Sequence, residues 1–213
     1  EIMPRVRSLR VSVVLAGLVL AACGGPPQQG IARGKDLYDT CVPCHGSDGA
    51  GKQVLGAPSI GGLPAWYVEA QLKTFQAGHR GYDAFDTVGI RMKSMALSLD
   101  IEGDNASVAA YVASLPRPPV AGGSVSGDVQ AGQAAFALCA TCHGADGAGN
   151  EAMHAPPLTH QHDWYLLAQL QKFQAGWRGT RTGDVWGAAM RPNAMLLDAA
   201  GMNNVVAYIQ TLN

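Results

Sequence analysis

The chain contains an internal repeat, and this repeat constrains its fold more than any other feature. When the sequence is shifted by 98 residues and compared with itself, CVPCHGSDGAG at 41–51 falls on CATCHGADGAG at 139–149 without a gap. The match continues until one residue is lost, after which VAAYV at 108–112 pairs with VVAYI at 205–209. A repeat of this length predicts two copies of one small domain, each of about 85 residues.

The repeat also sets the expected domain boundaries. We place the first domain at residues 31–115 and the second at 127–213, with the segment PRPPVAGGSVS at 116–126 between them. Its prolines and glycines are typical of an exposed linker. A domain of this size with short helices and many glycines buries little apolar surface, so we expect a bound group to complete each core.

Each copy is predicted to be all-α, with three helices. Val68, Leu72 and Phe75 recur at the spacing of one helix face, and the second copy repeats this apolar stripe. A shorter helix is expected to lead into each cysteine motif, from about Gly34 and about Gly132, and another helix closes each copy. Patterns typical of strands are lacking.

Each copy carries one Cys-x-x-Cys-His motif. Cys41, Cys44 and His45 occupy positions i, i+3 and i+4, which places them on one face of a helical turn. This pentapeptide is an attachment signal for c-type haem: the thiols form thioethers with the vinyl groups, and the imidazole binds the iron. The second motif has the same three residues, which are Cys139, Cys142 and His143. We therefore expect two covalently attached haem c groups.

Zinc binding and thiol redox chemistry are two other uses of such cysteines. A single zinc site would have to bring together thiols that are 98 residues apart, in copies that each have their own histidine. A thioredoxin-like redox pair requires a strand and helix context that neither copy shows. Both alternatives are less consistent with the sequence than haem.

A haem iron with one histidine needs a second axial ligand or an open position. Met92 and Met190 are matched methionines in the two copies, whereas Met95 matches Asn193. We therefore predict Met92 and Met190 as the second ligands, with Met95 as the alternative to Met92. A matched methionine in both copies also speaks against a peroxidase-type enzyme, which needs an open or displaceable iron position.

Further residues are expected to support each haem. A ligating histidine usually donates its other ring N–H to a carbonyl or carboxylate, and Pro58 and Pro156 are well placed to provide a carbonyl. Arg80 and Arg178 are candidate partners of the haem propionates, because guanidinium matches carboxylate geometry. A solvated surface position is the alternative for both arginines.

The N-terminal segment is expected to direct export. Residues 1–22 combine a basic start with an apolar run that is too short to span a bilayer comfortably, and Leu20-Ala21-Ala22-Cys23 follows the pattern of a bacterial lipoprotein signal. We predict lipidation at Cys23 and a tether over 23–30; ordinary cleavage or a retained anchor with a free Cys23 thiol are the alternatives. The net charge of −1, without a basic block, argues against nucleic acid as a partner.

The motifs together resemble a known family. Cys-x-x-Cys-His-Gly-x-Asp-Gly-x-Gly, a Trp-Tyr…Gln-Leu…Phe-Gln-Ala-Gly helix, a methionine seven residues before Leu-Asp, and a closing Ala-Tyr helix all occur twice. The chain is similar to the diheme class I cytochromes c of the cytochrome c4 family. That resemblance implies two haem-enclosing domains related by pseudo-twofold symmetry, and it agrees with Met92 as a ligand.

The resemblance also implies a role. Members of this family carry electrons in the periplasm from quinol-oxidising complexes, such as a quinol–cytochrome c oxidoreductase, to terminal oxidases or reductases. The lipoprotein-like N-terminal segment is not expected in a freely diffusing carrier, and it favours a membrane tether. The alternative is an electron-transfer subunit of a larger membrane oxidoreductase, and a diheme peroxidase is the less favoured one.

Overall fold

A computed structural model describes residues 30–99, 102–120 and 122–212 of the chain. The first unit contains α1 (Ile31–Tyr38), α2 (Val42–His45), α3 (Ala65–Gln76), α4 (Thr87–Ala96) and α5 (Asp104–Ser114). The second contains α6 (Val129–His143), α7 (Asp163–Gln174), α8 (Val185–Met195) and α9 (Ala199–Ile209). Within these ranges the only β structure is two isolated bridges, Lys52–Ala57 and Asn150–Ala155. The all-α prediction is confirmed.

The predicted export segment falls outside this description. Residues 1–22, the lipidation site Cys23 and the tether up to residue 29 are not among the described residues. Among the helices that are described, none has the length and apolar character needed to cross a membrane.

One helix in each unit was not predicted. α4 and α8 carry the matched methionines Met92 and Met190, and each begins after an aspartate. The Asp86 carboxylate accepts a hydrogen bond from the Gly89 amide at 2.9 Å, and Asp184 caps α8 in the same way. Glycine within both helices and a proline within α8 weaken the apolar periodicity, which is why the sequence pattern did not reveal them.

The chain enters the two cysteine motifs differently. α6 carries the second motif without a break, whereas α1 ends before the first motif and α2 begins within it. Pro43 lies in the first turn of α2, at the position that Thr141 occupies in α6. Proline has no N–H to donate to the preceding turn and suits the first turn of a helix. The break in the first unit follows from this substitution.

In each unit the first and last helices cross at a glycine. A Cβ on Gly34 would lie 1.9 Å from the Ser107 carbonyl oxygen, and a Cβ on Gly132 would lie 2.0 Å from that of Asn204. Only glycine permits such a close backbone approach. Matched aromatic pairs pack beside the crossings: Tyr38 with Tyr111, with ring centroids 5.2 Å apart, and Phe136 with Tyr208, 5.3 Å apart.

Each unit has its own hydrophobic core, built around this crossing. The buried residues of the first core are Tyr38, Leu72, Phe75, Ala96, Leu99, Val108 and Val112. Those of the second are Phe136, Leu166, Val205, Val206 and Ile209. The cores are small, in agreement with the expectation that each unit needs a bound group to complete it.

The linker between the units is anchored although most of it is exposed. Arg117 Nε donates to the Gly62 carbonyl at 3.3 Å near its start. Near its end, the amides of Ser124 and Val125 donate to the Asp163 carboxylate at 2.7 and 2.8 Å. Asp163 is completely buried at the start of α7 and fixes how the chain enters the second unit.

Candidate functional site

Each unit encloses a large cavity beside its cysteine motif. Counting the mouth, which is open to solvent, the space is about 1220 Å³ in the first unit and about 1600 Å³ in the second. The first cavity is lined by Cys41, Cys44, His45, Pro58 and Met92. The second is lined by Cys139, Cys142, His143, Pro156 and Met190. The structure therefore gathers the predicted site residues of each copy around one cavity.

The two motif histidines are held by the same hydrogen bond. His45 Nδ1 lies 3.0 Å from the Pro58 carbonyl oxygen, and His143 Nδ1 lies 2.8 Å from that of Pro156. A carbonyl only accepts, so the hydrogen is on Nδ1 and the lone pair is on Nε2. Burial lowers the pKa of both histidines, although the hydrogen bond to the carbonyl opposes this shift. Each imidazole is thus buried, oriented and favoured in its neutral form, as a metal ligand must be.

The four motif cysteines are free thiols at partly buried positions. Burial raises the pKa of Cys41 and Cys139, so these thiols are not activated as redox nucleophiles are. The zinc alternative also finds no support, because the described ranges contain no cluster of three or more His, Cys, Asp or Glu side chains able to hold a metal ion.

The methionines differ in their surroundings. Met92 and Met95 both line the first cavity, but Met92 packs against the hydrophobic core whereas Met95 is 38% exposed. In the second unit Met190 lines the cavity, whereas Met195 does not line it and is 51% exposed. α4 and α8 thus carry Met92 and Met190 to the cavities that also contain His45 and His143.

Each cavity is completed by side chains of the other unit, which the sequence did not reveal. Tyr165, Gln169 and Lys172 of α7 line the first cavity. Trp66, Tyr67, Gln71 and Thr74 of α3 line the second. The cavities therefore lie on either side of the interface between the units, and α3 and α7 form the wall between them.

Arg80 and Arg178 lie at this wall. Arg80 is 7% exposed, and its guanidinium donates to Gln71 Oε1 at 2.6 Å and to Gln169 Oε1 at 3.3 Å. Arg178 donates to the same oxygen of Gln169 at 2.8 Å, and burial together with the charge of Arg80 lowers the pKa of Arg178 to about 10. Neither guanidinium forms an ion pair within the described part of the chain. Buried charges are normally compensated, so this wall suits an anionic group.

These features fit a covalently attached haem. Each cavity combines two thiols, a neutral imidazole and a thioether with a mainly apolar lining, and buried guanidinium groups stand where a carboxylate would be compensated. This donor set is typical of c-type haem sites.

Comparison with known proteins agrees with this description. The family model described as cytochrome c matches the chain twice, at residues 31–116 and 129–213. The thiosulfate dehydrogenase electron acceptor of Stutzerimonas stutzeri is 32% identical over 161 residues, which cover 71% of this chain and 70% of the relative. Cytochrome c4 of Azotobacter vinelandii is 29% identical over 217 residues, covering 97% of each chain. The crystal structure of reduced recombinant cytochrome c4 from Pseudomonas stutzeri superposes with a TM-score of 0.67 at 28% identity, covering 87% of this chain and 100% of that one.

Proposed function

Because the chain belongs to the cytochrome c family and is a diheme, cytochrome c4-like electron carrier, we propose that it is a membrane-tethered carrier of the periplasm. In this proposal it moves electrons from a quinol-oxidising complex to a terminal oxidase or reductase. The observation that carries it is the occurrence, in both units, of two thiols, an oriented neutral histidine and a methionine around one cavity.

We assign the residues of each site as follows. Cys41 and Cys44 would form the two thioethers that attach the first haem, and His45 and Met92 would bind its iron. The second haem has the matching set, which is Cys139, Cys142, His143 and Met190. Haem bound in this way supplies one-electron Fe(III)/Fe(II) chemistry, and a histidine and methionine pair raises its potential relative to other ligand sets.

The protein's own contribution is to hold these ligands and exclude water. The carbonyls of Pro58 and Pro156 fix the rings of the two histidines through the Nδ1 hydrogen bonds. With a histidine and a methionine available to each iron, the protein would leave no position for a substrate and would hold the same ligands in both oxidation states. This arrangement suits electron transfer and not catalysis.

Arg80 and Arg178 are assigned to the haem propionates. Both guanidinium groups are at the wall between the cavities, and each donates a hydrogen bond to a glutamine oxygen. Each also lies over a phenylalanine ring, with Arg80 4.2 Å from the Phe75 centroid and Arg178 4.3 Å from that of Phe173. Stacking on these rings holds the charges in place for a carboxylate partner.

The membrane tether is proposed from the sequence Leu20-Ala21-Ala22-Cys23. A lipid on Cys23 would anchor the carrier, since each buried methylene contributes about 0.8 kcal/mol. A tethered carrier serves membrane complexes more readily than a freely diffusing one.

A second candidate is an electron-accepting subunit of a larger oxidoreductase. The similarity to the thiosulfate dehydrogenase electron acceptor of Stutzerimonas stutzeri favours it, because that relative is named for receiving electrons from an enzyme. The two candidates use the same sites and differ only in whether a partner stays bound.

The central experiment is haem analysis of the purified protein with the oxidised near-infrared spectrum. We expect two covalently bound haems per chain and a charge-transfer band from methionine to ferric iron for each. Fewer than two covalent haems, or no such band, would show the assignment to be wrong. Purification from membranes with mild detergent distinguishes the candidates: a stoichiometric partner enzyme indicates a subunit, and release as a single chain indicates a carrier.

A further inference from the structure

The two cavities are completed by matching helices that place different side chains against them. Lys172 of α7 lines the first cavity, and the residue at the same position of α3, Thr74, lines the second. Each unit therefore completes the cavity of the other, but with a side chain of different charge. One contributes a cation, and the other contributes a neutral hydroxyl.

Lys172 is held in place by an ion pair that crosses the interface. Its Nζ lies 2.7 Å from Asp86 Oδ1, and the two side chains are only 13% and 4% exposed. Asp86 is also the N-cap of α4, the helix that carries Met92. Because the pair is buried, solvent ions screen it less than they screen surface charges.

The second unit has the aspartate but not the lysine. Asp184 matches Asp86 and lines the second cavity, where it accepts hydrogen bonds from the amides of Gly187 and Gly179 at 3.0 and 3.2 Å. Thr74 stands where a lysine would be needed to neutralise it. The negative charge of Asp184 is therefore compensated by amide dipoles and by Arg178 of its own unit, and not by a lysine of α3.

The other charged side chains at the cavities extend this difference. Arg80 lines both cavities, Arg178 lines the second, and Arg91 lines the first at a position where the second unit has Ala189. The first cavity is thus lined by three cations and no carboxylate, whereas the second is lined by two cations and one carboxylate. When the charge of Asp86 is subtracted from that of Lys172, the side chains around the first cavity still carry a more positive net charge than those around the second.

From this difference we propose that Lys172 acts across the interface as a residue that sets the order of the two reduction potentials, with the site of the first unit the higher. Reduction adds one negative charge to a site, so a nearby buried cation stabilises the reduced form and a nearby carboxylate destabilises it. At equilibrium, the single electron of the half-reduced protein would therefore reside mainly in the first unit. This inference rests on the proposed function, since it requires a haem in each cavity.

The test is spectroelectrochemical titration of the holoprotein with substitutions at Lys172 and Asp86. Lys172→Thr, which copies Thr74, should lower the first-site potential alone and change the distribution of the electron between sites by about tenfold, equivalent to 59 mV for one electron. Lys172→Arg should retain the wild-type order. Asp86→Asn keeps a helix-capping side chain but removes the opposing charge, so it should raise the first-site potential.

The first-site potential should change in opposite directions in Lys172→Thr and Asp86→Asn, and this distinguishes an effect of charge from an effect of structure. Both Lys172→Thr and Asp86→Asn break the ion pair, so a simple loosening of the interface would move the potential in the same direction in both. Thr74→Lys provides the reciprocal test and should raise the second-site potential. The two sites are distinguished by repeating each titration in a Met190→His background, in which only the first site retains its methionine band.

Several results would overturn the proposal. They are an unchanged first-site potential in Lys172→Thr, an equal shift of both sites, or shifts of the same sign in Lys172→Thr and Asp86→Asn. Failure of the proposed function gives a different result, because the wild-type protein would then lack two covalent haems or would not titrate in one-electron steps.

Discussion

The hydroxyl oxygen of Tyr82 lies 2.5 Å from Oγ1 of Thr180, the residue that occupies the same position in the other repeat. A side chain that contacts its own equivalent lies close to an approximate twofold axis. Arg80 also lies near this axis, because it donates to both Gln71 and the matching Gln169. The two units therefore face each other through equivalent surfaces, as the resemblance to diheme cytochromes implied.

We predict that Tyr82 and Thr180 are energetically coupled. Tyr82→Phe removes the hydroxyl, which also donates to the Gly176 carbonyl, but keeps the ring on which Arg181 stacks. The change should lower the free energy of unfolding by about 1–2 kcal/mol, because it removes two hydrogen bonds with a usual net value of about 1 kcal/mol each. A double-mutant cycle with Thr180→Val, measured by denaturant unfolding of the holoprotein, should give a coupling energy of at least about 0.5 kcal/mol. Strictly additive effects would contradict the contact.

We predict that the helix crossings do not tolerate any side chain at their glycines. Gly34→Ala would place a Cβ 1.9 Å from the Ser107 carbonyl oxygen, so α1 and α5 would have to separate. The expected loss in free energy of unfolding is about 1–3 kcal/mol or more, as in other overpacked sites. Gly122→Ala is the control, because its Cβ would meet only the end of the Gln210 side chain. Equal stability of the two variants would show that the crossing is looser than described.

We predict that the Asp163 carboxylate stabilises the second unit through the linker. Asp163→Asn should reduce the free energy of unfolding by about 2 kcal/mol, because the carboxylate accepts hydrogen bonds from Gly123, Ser124 and Val125 in a buried position. Asp128→Asn is the matched control: Asp128 is an exposed N-cap, and asparagine caps equally well.

The effect of Asp163 should depend on pH. Burial alone would raise the pKa of Asp163, but the hydrogen bonds from Ser124, Val125 and Trp164 outweigh it and hold the pKa below its usual range. Its stabilisation is therefore complete above the pKa of an unfolded-chain aspartate, about 3.9, and is lost as pH falls through the lower pKa of the folded protein. Unfolding measured across this range should show wild type and Asp163→Asn converging at low pH. A difference in free energy of unfolding that stays constant with pH would contradict the stabilising role of the ionised carboxylate.

We predict that Met92 is the ligand in the first site and that Met95 is not. Met92→Ala should remove half of the near-infrared charge-transfer band, because one of two methionine-ligated sites is lost. Met95→Ala should leave the band intact, since Met95 matches Asn193 and is more exposed. Met190→Ala should remove the other half. Full intensity in Met92→Ala with half intensity in Met95→Ala would reverse the assignment.

Much of the fold was predictable because it is encoded over short distances along the chain. The apolar spacing of Val68, Leu72 and Phe75 led to α3, and its repetition led to α7. α4 and α8 were not predicted, because glycine, proline and polar residues interrupt the apolar periodicity of these helices. Their N-caps offered a signal, since an aspartate precedes each helix by one residue and matches its equivalent in the other copy: Asp86 and Asp184.

Parts of each candidate site were also predictable from the sequence. The spacing of Cys41, Cys44 and His45 places them on one helical turn. The repeat restricts the candidate methionine ligands to Met92 and Met190, because these two occupy matching positions. The hydrogen bond from His45 to the Pro58 carbonyl was also expected. In contrast, nothing in the local sequence distinguished a buried Arg80 from a solvated one, because burial depends on what the other unit places against it.

The sequence by itself determined that this chain contains two copies of one helical domain, each with the thiols and histidine of a covalent haem. These properties depend on residues close together in the chain or related by the repeat. Only the tertiary structure decided that Lys172 reaches Asp86 in the opposite unit while Thr74 faces the second cavity, and that Asp163 holds the linker. Such contacts join residues far apart in sequence. Their energies depend on burial and on distances set by tertiary packing, which local sequence patterns do not specify.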